Sequence, residues 1–272
     1  MERSQFSKGP FVLDYLSFGS GPKTLICFHG FGRRAEDFLY FRKELESTYT
    51  VYSFFFFHHG RSEYPGDRID KNTLRAEEWN ELIRDFLNEK KIDRFSLMGY
   101  SMGGKLALSI LERQSAHVDE IFLMAPDGIK TNFWYRFTSK NKLGNMIYRR
   151  VLKNPKPLFS LMNLMVKLRL VSSKLVRFAQ SNLETREKRE LVYKVWLTLR
   201  HVEPTVKTCS RIIAHQSIQC YLLFGKYDNV ILPSTGIWFQ KLSEGKAKFF
   251  EVECGHNMYN ENSKAVLKKI LS

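Results

Sequence analysis

Arg94-Phe95-Ser96-Leu97-Met98-Gly99-Tyr100-Ser101-Met102-Gly103-Gly104 is the stretch that decides the fold. Its first half reads as a short, continuous apolar strand, and the segment from Ser101 to Arg113 reads as a helix. At the junction stand Gly99, Ser101 and Gly103 in a G-x-S-x-G spacing, with the strand before and the helix after that this motif requires. The turn between them must be sharp, and side chains at the glycine positions would strike the neighbouring strand or helix. Gly104 extends the run of small residues and lets the helix approach closely. Ser101 is therefore held exposed at the edge of a sheet, at the positive end of the following helix.

Working outward, the same alternation repeats. Apolar strand candidates are Thr24 to His29, Thr50 to Phe57, Glu120 to Ala125, Gln219 to Gly225 and Lys248 to Glu253. Helix-like stretches lie from about Ala35 to Glu46 and from Thr73 to Glu89. Short continuous apolar strands separated by helices predict an α/β fold with a parallel sheet covered on both faces. Loops at the carboxyl ends of such strands carry function, and the polar punctuation of this chain falls there.

Three such loops hold chemistry-bearing residues in the order Ser, Asp, His. Asp228 follows the strand that ends at Gly225, and His256 follows the last strand. A serine hydroxyl is a weak nucleophile until a neighbouring base takes its proton. An imidazole can do this, with a carboxylate fixing its tautomer and stabilising the imidazolium. Ser101, Asp228 and His256 are thus the candidate catalytic residues, and activity should fall as the His256 imidazole takes up a proton. His29-Gly30-Phe31-Gly32 follows the first strong strand, where the backbone N–H groups of Phe31 and Met102 can bind a developing oxyanion. His29 itself reads as a brace for that loop.

On the His29–Gly32 loop, the Gly99–Gly103 turn, Asp228 and His256, the chain resembles the α/β-hydrolase superfamily, in its lidded esterase- and lipase-like branch. The resemblance covers about 1–128 and 216–272. It implies an α/β-hydrolase fold: a mostly parallel central sheet flanked by helices, with an all-helical lid inserted. It also implies a cofactor-free serine hydrolase that cleaves carboxylic esters through an acyl-enzyme. C–C hydrolysis, thioester cleavage and acyl transfer use the same triad, and a non-catalytic binding protein on this fold would show a damaged one. The family further allows the acid to come from the preceding strand end, which makes Asp127 a second candidate. His59-Gly60-Arg61-Ser62 resembles the family's loop after the next strand, except that Phe55, Phe57 and His58 stand where Asp, Pro and Gly are usual.

Charge marks the insert. The chain of 272 residues carries a formal net charge of +15. Residues 129–215 alone hold 19 Lys and Arg against 4 Asp and Glu, so the remainder is neutral. Within this span Leu158, Leu161, Met162, Met165 and Leu168 recur at helical spacing, as do Leu191, Val192, Val195, Trp196 and Leu199. Pro155 and Pro157 separate one helix from the next, and Pro204 precedes the last. Residues 129–215 therefore read as a basic helical lid between two strands. Phe133, Trp134, Leu158, Met162, Met165 and Trp196 are expected to pack on the body or line an acyl pocket. Lys167, Arg169, Lys174 and Arg177 form a basic face open to three readings: solvated surface, an anionic membrane, or an anionic substrate.

Several classes are excluded. Hydrophobic residues make up 43% of the chain, enough for a sizeable core and too many for disorder. No apolar run reaches the length of about 18 residues that a membrane span needs. Met1 to Phe6 lacks the features of a secretory leader. Cys27, Cys209, Cys220 and Cys254 are scattered, which favours reduced thiols and a cytoplasmic setting, with peripheral membrane association left open. Gly30-x-Gly32-x-x-Ala35 imitates a dinucleotide turn, but Phe54 to Phe57 occupy the place of its acidic partner. His58-His59 has no carboxylate or thiol partner nearby for a metal. No cofactor, metal or nucleic acid is expected. A small-molecule ester or related acyl compound is the expected substrate, while its binding residues and the oligomeric state are not legible.

Overall fold

The computed structural model describes residues 1–130 and 133–272, and all but the side chain of Phe133. Eight strands form one sheet: β1 (Glu2–Lys8), β2 (Phe11–Phe18), β3 (Lys23–Phe28), β4 (Tyr49–Phe55), β5 (Phe95–Tyr100), β6 (Val118–Met124), β7 (Gln219–Gly225) and β8 (Lys248–Val252). The helices are α1 (Arg42–Leu45), α2 (Ala76–Glu89), α3 (Met102–Gln114), α4 (Phe133–Lys140), α5 (Lys142–Lys153) and α6 (Lys156–Lys167). They continue as α7 (Ser173–Ser181), α8 (Arg186–Thr198), α9 (Val206–His215), α10 (Pro233–Leu242) and α11 (Glu261–Leu271). The chain divides into two units. The first comprises Met1–Pro65, Leu74–Lys130 and His201–Ser272, and the second Gly66–Thr73 and Thr131–Arg200.

In the first unit the strand order is β1-β2-β4-β3-β5-β6-β7-β8. β1, β2 and β4 pair antiparallel, and every other pairing is parallel. This is the α/β-hydrolase fold that the resemblance implied. Leaving β3, the chain turns one way to β4 and then crosses back to β5, so the crevice at the carboxyl ends of β3 and β5 is a topological switch point, where sheets of this kind bind ligands. The oxyanion-loop candidate follows β3, and the serine turn follows β5. β5 is buried at all six positions because helices cover both faces, which is why it reads as a continuous apolar run.

The first two strands were not expected. β1 buries only Phe6 of its seven residues, and β2 carries a charge, Asp14, in its interior. Asp14 is fully buried and accepts hydrogen bonds from Arg3 (Nη2 at 2.5 Å) and Arg61 (Nη2 at 3.0 Å, backbone N at 2.8 Å). Burial alone would raise its carboxyl pKa, but the Arg3 and Arg61 hydrogen bonds outweigh it and hold the pKa below the usual range. Ser62 Oγ adds a bond to the Phe55 carbonyl at 2.6 Å and receives the Asp14 amide at 2.8 Å. The loop after β4, where the chain departs from the family pattern, is thus anchored to β2 by charge and packed by Phe55, Phe56 and Phe57, each at most 1% exposed.

The basic span does not coincide with a unit. α9, within 129–215, belongs to the first unit, where Cys209 and Ile213 are buried. Residues 66–73, outside that span, join the second. α9 carries the basic composition on its exposed side, at Lys207 and Arg211, while Cys209 and Ile213 pack inward. In the second unit α4, α5 and α8 pack together, with Tyr148 stacked on Tyr193 at 5.6 Å and Trp196 edge-on to Tyr135 at 5.5 Å. Of the residues expected to be inward-facing, Leu158, Met162, Met165 and Trp196 are half-buried, whereas Trp134 is exposed. Phe133 lies outside the described side chains.

Candidate active site

Ser101 stands between β5 and α3 with φ 51° and ψ −118°, in the left-handed region that costs a non-glycine residue strain. The surrounding backbone imposes it. The Ser101 amide donates to the Met124 carbonyl at 2.9 Å, and its carbonyl accepts from Gly104 (2.9 Å) and Asp127 (2.8 Å) amides. The glycines make room for this. A Cβ on Gly103 would lie 1.9 Å from the Phe28 carbonyl oxygen, and one on Gly99 would lie 2.6 Å from that of Gly103.

The three candidate catalytic residues meet. Ser101 Oγ lies 3.0 Å from His256 Nε2, and His256 Nδ1 lies 2.8 Å from Asp228 Oδ2. Because Nδ1 faces a carboxylate, it carries the proton, which leaves Nε2 free to accept one from the serine. Asp228 is almost fully buried, and its other oxygen accepts the amides of Val230 (2.7 Å) and Ile231 (3.0 Å). These bonds fix the carboxylate and offset the cost of burying its charge. Asp127, the second acid candidate, uses Oδ1 to accept the Gly128 amide at 2.8 Å. Burial raises its carboxyl pKa, with the nearby Lys105 opposing.

The loop after β3 lies against the serine, since a Cβ on Gly30 would fall 3.2 Å from Ser101 Cβ. Met102 opens α3, so its amide has no intrahelical acceptor and remains available to a ligand. His29 braces the loop as expected, with Nδ1 donating to the Gly30 carbonyl at 2.7 Å.

Two contributors were missed from the sequence. His59 Nδ1 donates to the Phe57 carbonyl at 3.2 Å, and its Nε2 accepts the Gly32 amide at 3.3 Å. The loop after β4 thereby supports the loop after β3. Tyr100, the unspecified residue of the serine motif, donates its hydroxyl to the His256 carbonyl at 2.8 Å. Its aromatic ring between two glycine-flanked positions was the available signal. Burial raises the Tyr100 pKa to about 12, which keeps the hydroxyl protonated and able to donate.

His29 and His59 make a pH prediction. Burial lowers the pKa of His29 well below its ordinary value and that of His59 to about 4. In the unfolded chain both titrate near 6.5. Below that pH the unfolded state binds more protons than the folded one, so stability is complete above about 6.5 and declines as pH falls toward 4. Two such groups give a slope approaching about 2.7 kcal/mol per pH unit. Urea unfolding between pH 7 and 5 should show this decline, and His59→Gln should roughly halve its slope, leaving the His29 contribution. A midpoint independent of pH over that range would refute the assignment of both as buried neutral imidazoles.

Residues 23–263 match the family described as alpha/beta hydrolase fold. A protein of Mycoplasma pneumoniae named as an esterase/lipase is 28% identical over 132 residues, 48% of this chain and 46% of that protein. The matched segment thus spans less than half of that relative. Among solved structures, the thioesterase domain from the curacin biosynthetic pathway superposes with a TM-score of 0.67 at 16% identity, covering 100% of this chain and 99% of that one. A meta-cleavage product hydrolase from Pseudomonas fluorescens IP01 gives 0.62 at 17%, covering 96% and 93%. At such identities these two structures speak for the fold alone.

Proposed function

The chain belongs to the alpha/beta hydrolase fold family, and from that premise we propose that it is a serine hydrolase cleaving carboxylic esters of small molecules. The observation that carries this reading is the hydrogen-bonded line from Ser101 Oγ through His256 to Asp228. His256 Nε2 takes the hydroxyl proton as Oγ attacks the ester carbonyl. Asp228 receives the Nδ1–H bond and stabilises the imidazolium that forms. The amides of Phe31 and Met102 are the donors assigned to the oxygen that becomes negative, and one such donor is worth about 2.7–4 kcal/mol of barrier. As the tetrahedral adduct collapses, the C–O bond to the alcohol breaks and His256 returns the proton to the departing oxygen. Water then attacks the acyl-enzyme, His256 taking its proton, and the acid leaves as Ser101 recovers its own.

The esterase/lipase name of the bacterial relative supports this substrate class. Two measurements test it together. The protein should hydrolyse nitrophenyl esters, with an acyl-length optimum found across a series from acetyl to long-chain. A phosphonate ester reagent should inactivate it and leave its phosphorus on the peptide bearing Ser101. No hydrolysis of any member, or a label on another residue, would overturn the proposal.

A further inference from the structure

Helices α6 and α7 of the second unit present a surface that the proposed hydrolytic chemistry does not use. α6 buries none of its twelve residues, and α7 buries only Val176. The exposed Leu161 and Leu164 on α6 and Leu168 at its C-cap recur at steps of three and four, forming one stripe. Beside it the exposed Lys156, Ser160, Asn163 and Lys167 form a second, polar stripe. α7 repeats the arrangement, with Leu175 and Phe178 next to Lys174 and Arg177. The turn between the helices carries Leu168 (58% exposed), Arg169 and Leu170 (67% exposed). Single exposed leucines need no explanation, but apolar stripes on two successive helices joined by an apolar turn do.

The charge says what kind of partner such a surface meets. Between Asp127 and Glu184 there is no acidic residue, while twelve Lys and Arg occur. Lys156, Lys167, Arg169, Lys174 and Arg177 enter no ion pair among the described residues. A second copy of this chain would bring cations against cations. A polynucleotide would satisfy the cations and leave the leucines in water. A bilayer surface with anionic headgroups satisfies both at once, because acyl chains take the leucine stripe while the phosphates meet the flanking cations. No helix among the described residues is long and apolar enough to cross a membrane, so contact would be at the surface.

We propose that α6, α7 and their turn dock the protein on anionic lipid, with Leu168 and Leu170 inserted at the tip and the basic stripe lying along the headgroups. This goes beyond the hydrolase reading and does not depend on it. The test is co-sedimentation of the full chain with vesicles of phosphatidylcholine alone and of equimolar phosphatidylcholine and phosphatidylserine. Binding should be at least tenfold tighter to the anionic vesicles and should weaken as salt is raised. Leu168→Ser with Leu170→Ser should lose at least tenfold, as should Lys167→Glu with Lys174→Glu, with circular dichroism and hydrolysis of a soluble ester unchanged. Equal binding to both vesicles, binding to neither, or undiminished binding by the leucine variant would overturn the proposal. So would tight capture of homopolymeric RNA without vesicle binding, or self-association that the leucine variant abolishes. Ester hydrolysis surviving any of these results would leave the proposed function standing while this docking surface falls.

Discussion

Ser101→Ala is expected to lower kcat for ester hydrolysis on the order of 10⁶-fold, because the proposed acyl-enzyme forms on its Oγ. The substitution removes one oxygen, the atom 3.0 Å from His256 Nε2, and leaves the Phe31 and Met102 backbone amides in place. Alanine tolerates the backbone at φ 51° no better and no worse than serine, so the thermal midpoint should change little. KM, read from residual turnover, should also remain close to that of the wild type, because the Oγ contact develops as the bond forms. The double variant Ser101→Ala/His256→Ala should be no slower than either single one, since groups acting as one unit fail together. Retained activity in Ser101→Ala would place the chemistry elsewhere.

Asp228→Asn should cost about 10⁴-fold in kcat. An amide opposite Nδ1 offers an N–H where the carboxylate offered an acceptor, which turns the imidazole to the tautomer with its proton on Nε2. That nitrogen can no longer accept from the serine 3.0 Å away. Because the Asp228 side chain is buried and also receives two amides, the variant keeps the shape of the loop while reversing the decisive bond. Asp127→Asn is the matched control and should cost less than tenfold, for its carboxyl is bonded to the Gly128 amide. If the two results were exchanged, the acid would come from the end of β6.

The parallel part of the sheet was legible because burial on both faces forces continuous apolar runs. Gln219–Gly225 was bounded to the residue, and β3, β4, β5, β6 and β8 to within two residues at each end. β1 and β2 were not legible. An edge strand with one buried residue has almost no hydrophobic pattern, and Asp14 within β2 is a charge whose partners, Arg3 and Arg61, are set by the fold. The helix expected from Ala35 to Glu46 proved to be a 3-10 segment, Ala35–Phe41, followed by the single turn of α1. Apolar spacing reports a buried face without distinguishing the two windings.

At the site, chain order and strand ends singled out Ser101, Asp228 and His256, which the fold brings within hydrogen-bonding distance of one another. The support from Tyr100 and His59 was hidden, because each acts on a backbone group that no motif records. In the second unit, periodicity grouped Leu161 and Leu168 with Leu158, Met162 and Met165, whereas the structure leaves the first two in solvent. Helical spacing locates an apolar face and is silent on whether the protein itself covers it.

The pairing of β6 with β7 sets an order of assembly. Glu120 on β6 aligns with Gln219 on β7, across ninety-nine residues of chain. Closing a loop of that length instead of the ~30 residues of an ordinary crossover costs only about 1 kcal/mol more, so the insertion weakens the finished sheet little. Its effect is on timing, because distant pairings form late. During synthesis β1 through β6 can pair, and the strained turn at Ser101 can form, before β7 and β8 have been made. Asp228 and His256 both ride on those late strands. A nascent or prematurely ended chain would then present Ser101 on its strained turn without Asp228 or His256, and on the proposed chemistry would be inert toward esters until its final strands have joined the sheet.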